Sequence, residues 1–336
     1  MNAGRIVVTR PIPRAGLALL EEAGVTVEVL QPDEERPVDR AALLGLGRDD
    51  VLLCLLTDPI DREVLQASNL RGVTNYAVGY NNIDVGAATE CGVPVSNTPG
   101  VLTEASADCT WAMLLAVARR IPQAHRYTAE GRFKLWGANL FLGSDVGLGP
   151  DGRRKVLGVV GFGRIGQAVA RRASGFDMEV IACDPAPAPA DPVEFVDLPE
   201  LLARSDFVCL HPPLTDATRH LIGEEELRSM KRGAFLINAA RGPVVDEAAL
   251  VRALREGWIA GAALDVYENE PQLSPGLADL DNVVLLPHIL SASHDTRGRM
   301  AEIAARNALC HLRGERAPEV VNPEVYESEA WLLRWR

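Results

Sequence analysis

The chain has 336 residues, with 34 Lys or Arg against 46 Asp or Glu, a formal net charge of −12. That length exceeds one ordinary core and suits two domains, while an acidic balance without a long basic block leaves no footprint for DNA or RNA. The longest apolar runs, such as Val51–Leu56 and Ala112–Ala118, fall well short of the roughly 20 residues a membrane helix needs, so a soluble protein without a membrane partner is expected.

The N-terminal region holds only Ile6-Val7-Val8 as an apolar centre before Pro11, which reads as a short strand rather than a signal-peptide core. Arg5–Arg10, Val25–Leu30, Val51–Leu56, Gly72–Tyr76 and Val93–Ser96 read as strands, separated by helical patterns such as Arg14–Ala23 and Asp61–Ala67, an α/β domain in its own right. The loop Ala77–Asp84, with Gly79 and the pair Asn81-Asn82, suits a turn that presents backbone N–H groups to an anion. The same residues also make an ordinary turn, and spacing does not separate the two readings. After the break at Thr98-Pro-Gly100, Thr103 to Ile121 reads as one continuous helix crossing between domains. Its start, Thr103-Glu-Ala-Ser-Ala-Asp108, is either a plain helix cap or a hydroxyl aimed at a cofactor. Residues 133–155 are glycine-rich, with Leu148–Gly152 as an exposed excursion. Trp136, Phe141 and Leu142 are costly to leave in water there, so they are expected to cover something such as a second subunit.

The centre of the chain carries the most specific pattern. The apolar run Val156–Val160 stops at Gly161, and Gly161, Gly163 and Gly166 stand in G-x-G-x-x-G spacing before a run of helix formers. This reads as strand, tight turn and helix N-terminus, with unpaired N–H groups facing a pyrophosphate. A second apolar strand, Met178–Cys183, is closed by Asp184, placed for a carboxylate to accept hydrogen bonds from the adenosine ribose and repel a 2′-phosphate, so NAD is expected over NADP. Pro185–Pro192, alternating proline with alanine and aspartate, is a stiff loop that is neither helix nor central strand. Strands at Phe207–Leu210, Ala234–Asn238, Ala262–Val266 and Val283–Leu286 alternate with helices such as Glu224–Met230 and Glu247–Glu256, which predicts a mostly parallel, doubly wound sheet. The last helix, roughly Asp295–Arg313, is expected to return to the first domain, so that residues 1–100 and 290–336 form one discontinuous domain and 101–289 the other.

In such a sheet the reactive cleft lies at the carboxyl ends of the strands. Three residues past strand ends are chemically suggestive: Arg241, Glu270 and His288. A planar guanidinium can hold a carboxylate and polarise a keto oxygen. An imidazole can deliver the proton as hydride reaches carbon, and a neighbouring carboxylate orients the ring and favours its charged form. This is the equipment for reducing a 2-oxo acid. His211 in His-Pro-Pro is the competing histidine, with flanking prolines that suit a rigid wall on the adenine side; His125, His220, His294 and His311 fall in helical or loop patterns. No spacing suggests a metal site, a nucleophile elbow or a Walker lysine. Six cysteines without a C-x-x-C pair fit a reducing cytoplasm.

Taken together, Val156–Gly166 with Asp184, Asn238–Gly242, Leu264–Pro271 and Pro287-His-Ile289 make the chain resemble the NAD-dependent D-2-hydroxyacid dehydrogenases over nearly its whole length. Asn97–Asp108 and the short stretch from Glu270 to His288 are most similar to the glyoxylate and hydroxypyruvate reductase branch. The resemblance implies an α/β architecture of two doubly wound parallel-sheet domains, a Rossmann-type cofactor domain inserted in a flavodoxin-like substrate domain. It implies Arg241, Glu270 and His288 as the catalytic trio, with Val78, Gly79, Arg241 and His288 around the substrate. For the cofactor it implies Thr103 near the nicotinamide, Asp265 on the carboxamide, and further contacts from Gly161, Gly163, Arg164, Ile165, Gly166, Asp184, His211, Pro213 and Ala240. It also implies a homodimer in which Trp136 reaches the partner's active site. Leu290 departs from the glycine that usually follows His-Ile in the family, Leu148–Gly152 looks like an insertion, and the chain ends too soon after its last helix for a regulatory extension of the phosphoglycerate dehydrogenase kind. Two other functions share these features: an NAD(H)-sensing corepressor, against which the acidic balance and lack of tails argue, and a phosphite or formate dehydrogenase, the latter disfavoured because glutamine is its characteristic residue where Glu270 lies.

Overall fold

The structure, a computed structural model, describes residues 4–68, 70–187 and 192–334. Its contacts divide the chain into two units, one running to Leu102 and resuming at Ala292, the other spanning Thr103–Ser291. In the first unit β1 (Ile6–Val8), α1 (Arg14–Glu22), β2 (Val27–Val29), α2 (Arg40–Leu44), β3 (Val51–Cys54), α3 (Arg62–Ser68), β4 (Gly72–Asn75), α4 (Val85–Glu90) and β5 (Val95–Ser96) build a parallel sheet in the order β2-β1-β3-β4-β5. This is the flavodoxin-like strand order. β1, β3 and β4 are buried along their whole length, as expected for parallel strands covered on both faces, whose sequences run apolar instead of alternating.

The second unit begins with α5 (Thr103–Ala118) and α6 (Ile121–Ala129), where the sequence suggests one helix to Ile121. The periodicity is continuous, but Arg120 takes the left-handed conformation at φ 53° and Pro122 opens the next helix, since proline has no N–H to continue the ladder and fits a first turn. There follow β6 (Val156–Val160), α7 (Arg164–Ala173), β7 (Glu179–Cys183), β8 (Glu194–Phe195), α8 (Leu198–Arg204), β9 (Phe207–Leu210), α9 (Glu224–Ser229), β10 (Phe235–Asn238), α10 (Glu247–Glu256), β11 (Gly261–Leu264) and β12 (Val283–Leu285). All pair in parallel in the order β12-β11-β10-β9-β6-β7-β8. The order reverses between β6 and β9, and ligands of doubly wound sheets bind outside the carboxyl ends of strands at such a reversal. Of the proline-alanine stretch after Asp184, residues 188–191 lie outside the described residues.

The chain then returns to the first unit through α11 (His294–Arg313), which packs on α1, β3 and β4, and ends with α12 (Glu329–Arg334). Ser293 caps α11, its side chain accepting the Thr296 N–H, and Gly314 closes the helix in the left-handed conformation at φ 73°, the arrangement that satisfies backbone groups orphaned at helix ends. The inward face of α11 carries Met300, Ala301, Ala304, Ala305 and Ala308, packed with Ile6, Val8, Val51 and Leu53 of the sheet. Among the described residues no helix is long and apolar enough to cross a membrane.

Candidate active site

β6 ends at Gly161, whose φ of 86° lies in the left-handed region; a Cβ there would stand 2.6 Å from the Pro212 nitrogen, so only glycine lets the turn lie against the end of β9. At Gly163 a Cβ would meet open space, while Gly163 itself begins α7. The first turn of α7 thus presents N–H groups beside open space, with Arg164 exposed there, Ile165 half-buried and Gly166 buried. Asp184, past the end of β7, accepts the Phe162 N–H at 2.7 Å and the Ala186 N–H at 2.8 Å, one on each carboxylate oxygen. The acid that would meet the ribose therefore also fastens the glycine turn.

Across the strand-order reversal stands His211, at the end of β9. Both its ring nitrogens are buried with no hydrogen-bond partner among the described residues, and burial pushes its pKa down to about 4. Two orphaned nitrogens beside the glycine turn are costly in a finished fold and suit a polar ligand. Glycine cradle, ribose acid and unsatisfied imidazole together fit a dinucleotide. Pro213 is exposed in the same loop, its carbonyl held by the Thr218 hydroxyl at 2.6 Å, and Thr103 opens α5.

At the ends of β10, β11 and β12 the structure gathers the suggested trio. Nδ1 of His288 and Oε1 of Glu270 lie 2.7 Å apart, with both side chains about a quarter exposed (22% and 25%). Arg241 is held by a bond from its Nη1 to the Ala240 carbonyl at 2.7 Å, and burial lowers its pKa against the opposing charge of Glu270. A guanidinium that is desolvated yet engages one carbonyl retains several N–H donors for an anion. Ala240 is itself fixed, its N–H donating to the Asn238 side chain at 3.1 Å.

Asp265 organises the histidine's backbone. Fully buried, it accepts the Ile289 N–H at 2.7 Å and the Leu290 N–H at 3.0 Å, while its own carbonyl accepts the His288 N–H at 3.0 Å. Burial raises its pKa against the lowering pull of those two N–H groups and of His288. The turn so formed holds His288 at φ 56°, a conformation that side chains adopt only when the surroundings impose it. Leu290 is buried in the same core cluster as Ala107, Trp111 and Ile237, so a leucine is accommodated there by packing.

Val78 and Gly79 belong to the first unit. The carbonyls of Ala77, Val78 and Gly79 are pinned by the Thr98 N–H at 2.9 Å, the Asn97 side chain at 2.8 Å and the Asn75 side chain at 2.7 Å. With its carbonyls turned into the fold, the loop leaves the N–H groups of Val78 and Gly79 without a partner among the described residues, the nest that binds anions. Sequence reasoning passes over the groups that hold these loops, Asn75 and Asn97 here and Glu247, Glu268 and His220 in the second unit. Of the loop-holding side chains in the first unit, only Asn97 falls in a stretch that carries the family resemblance.

Comparison with known proteins is consistent with this geometry. Residues 111–289 match the family described as D-isomer specific 2-hydroxyacid dehydrogenase, NAD binding domain. A glyoxylate reductase of Korarchaeum cryptofilum is 51% identical over 330 residues, covering 96% of each chain. Among solved structures, the TT0316 protein of Thermus thermophilus superposes with a TM-score of 0.86 at 46% identity, over 94% of this chain and 99% of that one. An NADPH-dependent glyoxylate/hydroxypyruvate reductase of Sinorhizobium meliloti, solved with NADP and malonate, gives 0.81 at 31% identity, over 95% and 97%.

Proposed function

The chain belongs to the D-isomer specific 2-hydroxyacid dehydrogenases, and from that premise we propose that it reduces glyoxylate and hydroxypyruvate with NADH, giving the 2-hydroxy acid in D configuration where carbon 2 is a stereocentre. The observation that carries this reading is the His288–Glu270 pair at 2.7 Å on a turn fixed by Asp265, with the desolvated Arg241 in the field of the same glutamate. In the proposal Arg241 binds the substrate's anionic end and polarises its keto oxygen. His288 donates a proton to that oxygen, and Glu270 holds the ring and compensates its charge. Within the first unit, the Val78–Gly79 nest is proposed to bind a carboxylate through its two N–H groups. When bound, NADH supplies the hydride that carbon 2 receives. The glycine turn and the start of α7 would hold its pyrophosphate, the otherwise unsatisfied His211 ring would offer it a polar partner, and Asp184 would accept the ribose hydroxyls.

Preference for NADH rests on Asp184 and on the three residues after it. Pro185-Ala-Pro187 offers no cation for a 2′-phosphate, and a carboxylate at that place repels one. The test is NADH and NADPH oxidation, followed by absorbance with a panel of 2-oxo acids, together with NAD reduction by phosphite. Expected are turnover of glyoxylate or hydroxypyruvate, a kcat/KM for NADH at least about tenfold above that for NADPH, and a loss of about 10²–10⁴ in kcat for His288→Gln, the usual worth of a general acid. Full activity in that variant, or turnover of phosphite alone, sinks the proposal.

A further inference from the structure

Glu270 sits on the loop from Asp265 to Asn282, between β11 and β12, and neither strand reaches it. Something else must fix its carboxylate against His288. The loop is held by another acid, Glu247, which is 2% exposed at the start of α10. One of its oxygens accepts the Glu268 N–H at 2.6 Å and the other the Ser274 N–H at 3.2 Å, so its grip closes on both sides of Glu270. A buried carboxylate is expensive to desolvate, and helix capping does not require this one, because Asp246 already caps α10 by accepting the Ala249 N–H at 2.9 Å.

The grip extends to the loop bearing Arg241. Glu268 accepts the Glu247 N–H at 3.2 Å with one oxygen, and its other oxygen lies 2.6 Å from Nε2 of His220. His220, held at φ 51°, donates its own N–H to the Pro243 carbonyl at 2.8 Å. Beneath them, a Cβ at Gly242 would stand 1.8 Å from the Tyr267 carbonyl, so the backbone after Arg241 lies directly on the backbone before Glu270. Loops past three adjacent strands, β9, β10 and β11, are thereby tied into one piece.

We propose that Glu247 is a positioning residue for the reaction: through Glu268 and Ser274 it holds the Glu270 carboxylate on His288, with His220 as the outer anchor of the same network. The inference rests on the reductase reading above. Glu247→Gln keeps the size of the side chain, but its amide accepts at a single oxygen and sets an NH₂ group against the remaining N–H. Misplacement of a catalytic group by about 1 Å can cost about 10²-fold.

The experiment is a double-mutant cycle of Glu247→Gln with Glu270→Gln, measuring kcat, the KM for glyoxylate, the pH profile of kcat and NADH binding by fluorescence. Expected for Glu247→Gln alone is a kcat lower by about tenfold or more, a KM within about twofold, unchanged NADH binding and a pH profile moved toward that of Glu270→Gln. In the Glu270→Gln background the same substitution should change kcat less than about twofold, because the group it positions is already gone. An equal loss in both backgrounds, or a kcat and pH profile like those of the unaltered protein, overturns the proposal. If Glu247→Gln yields too little folded protein, His220→Gln is taken through the same cycle and judged by the same outcomes. Failure of the unaltered protein to reduce any 2-oxo acid would refute the reductase reading itself, which separates the two failures.

Discussion

At the scale of single residues the site is shaped by carboxylates that bind backbone. Asp184 fastens the glycine turn, Asp265 fastens the turn of His288, and Glu247 fastens the loop of Glu270. In each case a charged acceptor strengthens an N–H bond and converts a flexible connection into a defined one. Asp265 makes the sharpest case, because its two bonds maintain a left-handed histidine. Asp265→Asn leaves one oxygen for two N–H groups, and an unsatisfied buried donor costs about 1–3 kcal/mol. The expected result is a melting temperature lower by about 2–4 °C for each kcal/mol lost, read by calorimetry, with a drop in kcat as the imidazole loses its fixed direction. A variant that melts and turns over like the unaltered protein would show that core packing at Leu290 holds the turn without the carboxylate.

At the scale of elements, the parallel sheets and the glycine turn are legible because each has a local signature: apolar runs a few residues long bounded by glycine or proline, and three glycines at fixed spacing. The strand ends point to Arg241, Glu270 and His288 for the same reason, since a parallel sheet makes the residue after a strand a cleft residue. What is not legible is pairing between loops. Glu247 reads as an ordinary helix-start acid and His220 as a loop histidine, and no spacing announces that they meet around residue 268. The division of α5 from α6 escapes the sequence because apolar periodicity runs through Arg119-Arg120, and the backbone turn there is decided by Pro122 and by packing. Beyond that turn lies an arm whose apolar side chains remain in solvent: Leu135 is 81% exposed, Trp136 75% and Leu142 65%. Phe141 is the exception, packed edge-on to Tyr127 at 5.2 Å. Large apolar side chains this exposed mark an interaction surface where they cluster, and a second copy of the chain is the proposed cover. Light scattering should give twice the chain mass, and the paired substitutions Leu135→Glu and Trp136→Glu should give monomers, since a buried unpaired charge opposes association. A monomeric mass for the unaltered chain would remove the dimer.

At the scale of the whole molecule, each unit holds one histidine whose burial resists protonation of the ring. His311 of α11 is fully buried in the first unit, with Nε2 3.0 Å from the Ser96 hydroxyl, which in turn lies 2.9 Å from that of Thr74. In the second unit both ring nitrogens of His211 are buried without a partner among the described residues. Burial lowers the pKa of His311 to about 3 and of His211 to about 4, against an ordinary value of about 6.5. As the pH falls below about 6.5, the unfolded chain takes up protons that the folded units refuse, so the stability is complete above that value and is lost progressively down to the folded pKa values. For one such histidine the loss approaches about 1.4 kcal/mol per pH unit. Urea unfolding of the unaltered chain and of His311→Gln at several pH values from about 7.5 to 5 isolates the contribution of the first unit, because glutamine can still bond Ser96 yet takes up no proton. The expected outcome is a shallower fall of stability with acid in the variant, whatever its stability at neutral pH. Parallel slopes would mean that His311 is not the group that makes the first unit sensitive to acid.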